Sequence, residues 1–535
     1  MSKRINSPWK RLSDLLNLDK AEVTQLYIYA VFSGLIGLSL PLGIQSVIHF
    51  IQGGKITTSW ILLVVFVIIG VIITGILQIL QLRITENIQQ RIYTRYSFDF
   101  AFRFPRLNRM VLFDKNPREW MNRFFDIISL QKGIAKVLLE LPSAALQIVF
   151  SLLVLSFYHP FYIAFSILLI LVIYSVFKPI IRRGFETSLK ESTHKYKTAH
   201  WLQEIARADW SFRLVPNGNH ALKRLDQHAV AYLGARESHF KVLWKQYLWM
   251  IALKALIVAA LLALGGFLVI DQQMNLGQFV AAEILILLIL SAVEKIILLL
   301  ETLYDVFTSL EKLGQVRDLP MAFEEKYSDQ AIESIFPMEL LDKNNANNIL
   351  LSLQKEERIH LKGKNSKQAI SLMRELIDPT INEAHMPRWN FANPTPENMA
   401  AAFCSIGWFE KETHLFDGTV RENLLLGREN LGAKEIHEAL EIVGMLDFIK
   451  RNELGYETPI FDKPKAISAT EREKLLLARA IIHSPKILLL SLHDLAVDEP
   501  EIQLILQRIL RKLPDLSLIV AAPFDLQLDC KIIQL

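Results

Sequence analysis

SPKILLLSLHDLAVD, residues 484–498, is the stretch on which the reading of the C-terminal half turns. Ile487 to Leu490 form a short apolar run bounded by turn residues, the pattern of a strand buried on both faces of a parallel sheet. The run stops in Ser491, Leu492 and His493, so the strand ends without a carboxylate. Two further runs, 357–362 and 517–522, share the strand character of 486–490, and 432–450 and 469–483 carry the period of amphipathic helices. Strands alternating with helices predict an α/β domain with a parallel core.

Working outward, the chain has 535 residues, 51% of them hydrophobic, and a mean hydropathy of +0.27, too apolar for an ordinary soluble protein and long enough for two or more domains. The apolar excess lies in residues 1 to about 320, which predicts a membrane half followed by a soluble half. A net charge of +4, with no basic stripe interleaved with aromatics, gives no support for nucleic-acid binding. Cys404 and Cys530 are the only cysteines, which excludes a disulfide framework and any CxxC metal or redox motif.

Apolar segments at roughly 25–50, 57–82, 138–157, 159–178, 247–270 and 277–300 each approach the ~20 residues that a bilayer core requires, and predict six spans. The opening MSKRINSPWKR and the stretches 83–136 and 179–246 are basic, whereas QGGKITT, YHP and DQQMNL carry one lysine between them. By the positive-inside rule the N-terminus, the two long connections and the soluble half are cytoplasmic. Both long connections keep helical periodicity without Gly/Pro-rich breakers, which predicts spans continuing as stalks.

In the soluble half, ERIHLKGKNSKQAISLMREL (357–376) reads as a strand, a Gly-containing turn and an amphipathic helix, the frame of a phosphate-binding loop. Registered on Gly363, Ser366 and Gln368 fall at the other glycine positions, Ala369 at the lysine, Ile370 at the metal-ligating hydroxyl and Ser371 at the threonine after it. The frame is present and its chemistry is not.

HLFDGTVRENLL (414–425) resembles the segment after the glutamine loop in the nucleotide-binding domains of ABC exporters. ISATEREKLLLARAIIHSPKILLL resembles their signature helix and the strand after it, and LSLIVAAPFDLQLDCKIIQL their switch-histidine region. Residues 275–320 are similar to the sixth span and linker of bacterial type I secretion and peptide exporters. The resemblance covers nearly the whole chain. It implies a membrane all-α six-helix ABC exporter domain followed by an α/β P-loop-type cassette, C-terminally shortened, and no peptidase-like N-terminal domain. The expected divisions are a cytoplasmic segment 1–22, a transmembrane domain 23–320 and a degenerate nucleotide-binding-like domain 321–535.

Carried over residue by residue, the resemblance puts Lys411 at the glutamine that senses the γ-phosphate, and Ser468, Ala469 and Thr470 in the signature, with Glu471 adding a negative charge toward an anion. Ser491 stands at the Mg²⁺-binding aspartate, Leu492 at the glutamate that polarises water and Pro523 at the switch histidine, while Asp498, matching the aspartate of the following loop, is retained. Loss of one phosphoryl-stabilising donor can cost on the order of 10²–10³ in rate, and here the lysine, both metal anchors and the water-orienting acid are absent together. No catalytic residue, resident metal or bound cofactor is expected; ATP and Mg²⁺ enter only if the degenerate site still binds them.

Glu283 and Glu294 are eleven residues apart in the sixth expected span, on one helix face about 16 Å apart, and Lys254 lies in the fifth. Charge in a membrane segment marks either a substrate pathway or a structural pair near the leaflet boundary, and both readings stand. The resemblance implies a membrane subunit of an ABC-type exporter of peptides, proteins or another large substrate in a bacterial inner membrane, with a catalytically inactive cassette used for dimerisation and coupling. Its expected partners are a second half-transporter, identical or different, the lipid bilayer and, in a type I assembly, a periplasmic adaptor and outer-membrane channel. An ATP-independent scaffold of a secretion assembly and an ATP-driven exporter with non-standard site residues are the alternatives.

Overall fold

The structure, a computed structural model, describes residues 8–52, 58–108, 120–158, 160–215, 218–273, 275–321, 335–343, 345–363, 366–378, 381–382, 384–390, 392–394, 399, 403–411, 413–460 and 467–534. The chain divides into two compact units, residues 1–104 with 115–319, and residues 105–114 with 320–535.

The first unit is helical: α1 (Pro8–Leu18), α2 (Lys20–Gly37), α3 (Ser39–Gln52), α4 (Thr58–Arg103), α5 (Asp126–Tyr158), α6 (Pro160–Arg207), α7 (Asp209–Arg213), α8 (His220–Ile270) and α9 (Leu276–Arg317). The 48 residues of α6 rise about 72 Å, more than twice a bilayer core of ~30 Å, so the apolar parts continue into long polar extensions as expected. Among the described residues, four segments are long and apolar enough to cross a membrane: Lys20–Ile48, Thr58–Arg106, Asn122–Tyr158 and His220–Ile270. The expected spans at 159–178 and 277–300 lie in α6 and α9, and the side chains of 172–180 are outside the described residues. The first expected span is broken at Leu38, because Pro41 has no N–H to give the Gly37 carbonyl.

Helix α9 organises this unit. Its Ile286, Ile289, Val293 and Tyr304 pack with α5, α6 and α8, while its Phe307, Leu310 and Leu313 pack with α1, α2, α4 and α5. Gly184 of α6 is required by this packing, since a Cβ there would lie 2.2 Å from the Tyr304 ring.

The second unit contains β1 (Met338–Asp342), β2 (Asn345–Leu353), β3 (Arg358–Lys362), α10 (Ser366–Ile377), β4 (His385–Trp389), β5 (Ile406–Phe409), β6 (Gly418–Thr419), α11 (Val420–Leu425), α12 (Ala433–Ile442), α13 (Leu446–Arg451), β7 (Pro459–Ile460), α14 (Ala469–Ile481), β8 (Ile487–Ser491), α15 (Glu499–Lys512), β9 (Ser517–Ala522) and β10 (Lys531–Gln534). Strands β10-β3-β9-β8-β5 form a parallel sheet in that order, and β2-β1-β4 an antiparallel one. The three expected strands are β3, β8 and β9, side by side at its centre. Leu488, Leu490, Leu518 and Val520 face α12, α14 and α15, while Ile487, Leu489, Ile519 and Ala521 face α10.

The expected helix 432–450 is two helices. Gly444 at φ +69° sits in the left-handed region between α12 and α13, where a glycine ends a helix at no steric cost.

Candidate functional site

Strand β3 delivers Gly363 to the carboxyl edge of the parallel sheet, and α10 begins at Ser366, whose side chain lies outside the described residues. Ala369 is buried against Met373 and Leu376 in the sheet core, and Ile370 packs on the same cluster. The Ser371 hydroxyl donates to Glu375, whose carboxylate also meets His385 and the Asn382 amide. All three positions are thus absorbed by packing or by bonds within the unit.

At the end of β8, Ser491 and Leu492 are both buried. The Leu492 N–H donates to the Ala521 carbonyl at 2.8 Å, extending the ladder by one residue, and its side chain joins the core with Leu490 and Val497. His493, which carried no role in the sequence reading, is buried, and its Nε2 lies 3.1 Å from the Gly363 carbonyl. A carbonyl only accepts, so Nε2 carries the proton, and the turn after β3 is tied to the loop after β8. Nδ1 is buried with no partner among the described residues.

His360 in β3 is likewise buried, with Nε2 3.2 Å from the Ala522 carbonyl at the end of β9; burial holds its pKa below the ordinary imidazole value. Pro523 follows, exposed. At the end of β5, Glu410 is buried and paired with Arg374 of α10, whereas Lys411 points to solvent in a turn.

The signature-like segment is closed on itself. Ser468 caps α14 by accepting from the Glu471 N–H, and the Glu471 carboxylate returns to the Ser468 N–H at 2.8 Å, a reciprocal capping box. Burial alone would raise the Glu471 pKa, but these bonds from Ser468, with Arg451 3.2 Å away, hold it below the usual carboxylate value. The expected charge facing an anion is therefore turned back onto its own helix. Ala469 is exposed, Thr470 donates to the Ala496 carbonyl at 3.3 Å, and Asp498 is an exposed N-cap residue of α15 without a side-chain cap bond. Buried Glu473 accepts from the Ala496 and Val497 N–H groups at 2.8 and 3.1 Å and fixes the loop after β8.

In the helical unit, Lys254 of α8 and Glu294 of α9 form an ion pair between the two helices. Glu283 is half-buried and makes no hydrogen bond or ion pair among the described residues. Nor, among those residues, are three or more His, Cys, Asp or Glu side chains placed to hold a metal ion.

This architecture matches the solved structure of a bacterial Atm1-family ABC exporter with ATP bound, at a TM-score of 0.79 and 13% identity, over 94% of this chain and 91% of that one. The chain has the ABC-exporter fold and is membrane-embedded. In sequence it is similar to the lactococcin-A transport/processing ATP-binding protein LcnC of Lactococcus lactis subsp. lactis, 23% identical over 396 residues, which span 70% of this chain and 53% of that protein. It is also similar to the leukotoxin translocation ATP-binding protein LktB of Mannheimia glucosida, 24% identical over 255 residues, spanning 46% and 36%. No family model matches the sequence. The chain spans about half the length of the curated relatives that it matches over most of its own.

Proposed function

We propose that this chain is the membrane subunit of an ABC-type exporter of peptides or proteins, with a cassette that docks and couples rather than hydrolyses ATP. The observation that carries the reading is the fate of the strand ends. Ala369 and Leu492 lie in the two faces of the core and His493 bonds the Gly363 carbonyl, so positions that would hold a nucleotide's phosphates and Mg²⁺ serve packing instead. Among the described residues at these positions, Ala369, Ile370, Ser491 and Leu492 offer no ammonium or carboxylate to Mg-ATP, and the Ser371 hydroxyl is already bonded to Glu375. The peptide or protein substrate rests on the names of the relatives, which transport lactococcin A and translocate leukotoxin.

On this reading, residues 23–320 supply six spans and 321–535 the cassette. Two copies, or one copy and a different half-transporter, enclose the pathway in a bacterial inner membrane, with a periplasmic adaptor and outer-membrane channel as further partners. Lys254–Glu294 is a structural pair, and Glu283 is the candidate pathway residue.

The test uses the full chain purified in mild detergent. It should neither bind Mg-ATP at millimolar concentration nor hydrolyse it, while running as a dimer by light scattering. An ATPase abolished by substitution of Gly363 would overturn the proposal.

A further inference from the structure

The helical unit carries an apolar cleft of about 1130 Å³, above the ~300–1,000 Å³ of ordinary ligand pockets. Leu153 of α5 and Ile163 and Ile167 of α6 line its length; Trp9 of α1, Phe185 of α6 and Phe307 of α9 line one end. There the Trp9 and Phe307 rings meet edge to face, 4.5 Å between centroids, and Phe185 stands against Phe307 at 6.0 Å. The cleft opens sideways, with Leu153 and Ile167 more than half exposed.

Among the described residues, Ser156 and Arg182 are the polar aliphatic side chains that border it. The Ser156 hydroxyl is satisfied within its own helix, donating to the Leu152 carbonyl at 2.8 Å. Arg182 is different: its side chain is 87% exposed and held only by an i,i+4 contact with exposed Glu186, and Arg183 beside it is also exposed. From Pro160 at the start of α6 to Arg182 is 22 residues, about 33 Å of helix, one hydrocarbon thickness. Arg182 and exposed Trp9 therefore share the end of the cleft that falls at headgroup depth, where tryptophan and arginine are favoured.

An occupant must be apolar along a bilayer's depth and anionic at one end. An extended peptide is disfavoured, since the described walls offer its N–H and C=O groups no partner along Leu153, Ile163 and Ile167. We propose that the cleft holds one anionic phospholipid of the surrounding bilayer, with acyl chains along Leu153, Ile163 and Ile167 and its phosphate at Arg182.

Full-length protein would be reconstituted in nanodiscs of one part phosphatidylglycerol to four parts phosphatidylcholine, extracted into detergent and analysed by native mass spectrometry. Retained lipid should be enriched in phosphatidylglycerol about fivefold over the bulk ratio, the factor expected for one basic side chain at a phosphate. Arg182→Gln should remove the enrichment while lipid is still retained, and Leu153→Trp, which fills the cleft, should remove retention. Retention at the bulk ratio, or enrichment unchanged in Arg182→Gln, overturns the proposal. So does disulfide cross-linking of Ile163→Cys to a second copy in a background lacking Cys404 and Cys530, because protein then covers the cleft.

Discussion

In the α/β unit, Ile487 to Leu490 are fully buried and alternate between two cores, whereas the next three residues end the strand in a serine, a leucine and a histidine. The two stretches are continuous in one strand and obey different constraints. Interior positions answer to shape and hydrophobicity, which many apolar side chains meet. Edge positions in a nucleotide machine answer to charge and geometry at single atoms, which one or two residue types meet. Here the interior is apolar throughout and the edge carries contacts that close on the protein itself: His493 on Gly363, His360 on Ala522, Glu471 on Ser468. If the fold is used for its shape, as proposed above, it keeps the first kind of residue and is free of the second.

The comparison breaks if the interior tolerates charge. Leu489→Asp places an unpaired carboxylate in the sheet facing α10, at a cost above about 4 kcal/mol, a large part of a typical total of ~5–15. Membrane accumulation in cells should fall to near zero. Undiminished accumulation would mean that the sheet is not needed for assembly.

A smaller effect lies at the join between α14 and β8. Burial first, then the Arg428 charge, push the His483 pKa from 6.5 down to about 4. The imidazole is therefore neutral in the folded protein over a range where the unfolded chain takes up a proton. Stability is fully present above pH ~6.5 and is lost as pH falls toward ~4, by about 3 kcal/mol over the whole window at ~1.36 kcal/mol per unit. Thermal unfolding of the full chain in detergent should weaken more between pH 7 and 5 in the wild type than in His483→Gln. Parallel pH profiles would place the acid sensitivity in other groups.

These contrasts also mark what the sequence discloses. Periodicity located β3, β8 and β9, because burial on both faces leaves an unbroken apolar run. Both capping boxes, Ser468–Glu471 and Thr419–Glu422, carry the S/T-x-x-E pattern, yet the sequence reading treats neither as a cap: the first enters only as a signature position and the second only as part of the resembling segment 414–425. Contacts across long separations were not legible. His493 and Gly363 are 130 positions apart, and nothing local to either announces the bond. Glu410 was passed over for Lys411, because only the fold reveals that the first is buried against Arg374 and the second faces water. Lys254 and Glu294 were each noted, but their pairing depends on how α8 meets α9.

The smallest expected effect is the sharpest test of the edge. Ser491 is the last residue of β8, with its backbone in register opposite Ala521, and its hydroxyl makes no hydrogen bond among the described residues. Ser491→Ala therefore removes one oxygen and leaves the strand, the register and the neighbouring core in place. Removing one buried oxygen that makes no hydrogen bond among the described residues costs about 1 kcal/mol or less, so accumulation, dimer formation and export should all match the wild type. The measurement is export in cells alongside the amount of assembled protein, since only the pair separates chemistry from folding. If Ser491→Ala abolishes export while the protein still assembles, the edge of the sheet performs a reaction after all. If it is silent while Leu489→Asp, two residues earlier on the same strand, is not, then the boundary between shape and chemistry falls between those positions, and the unit acts by its shape.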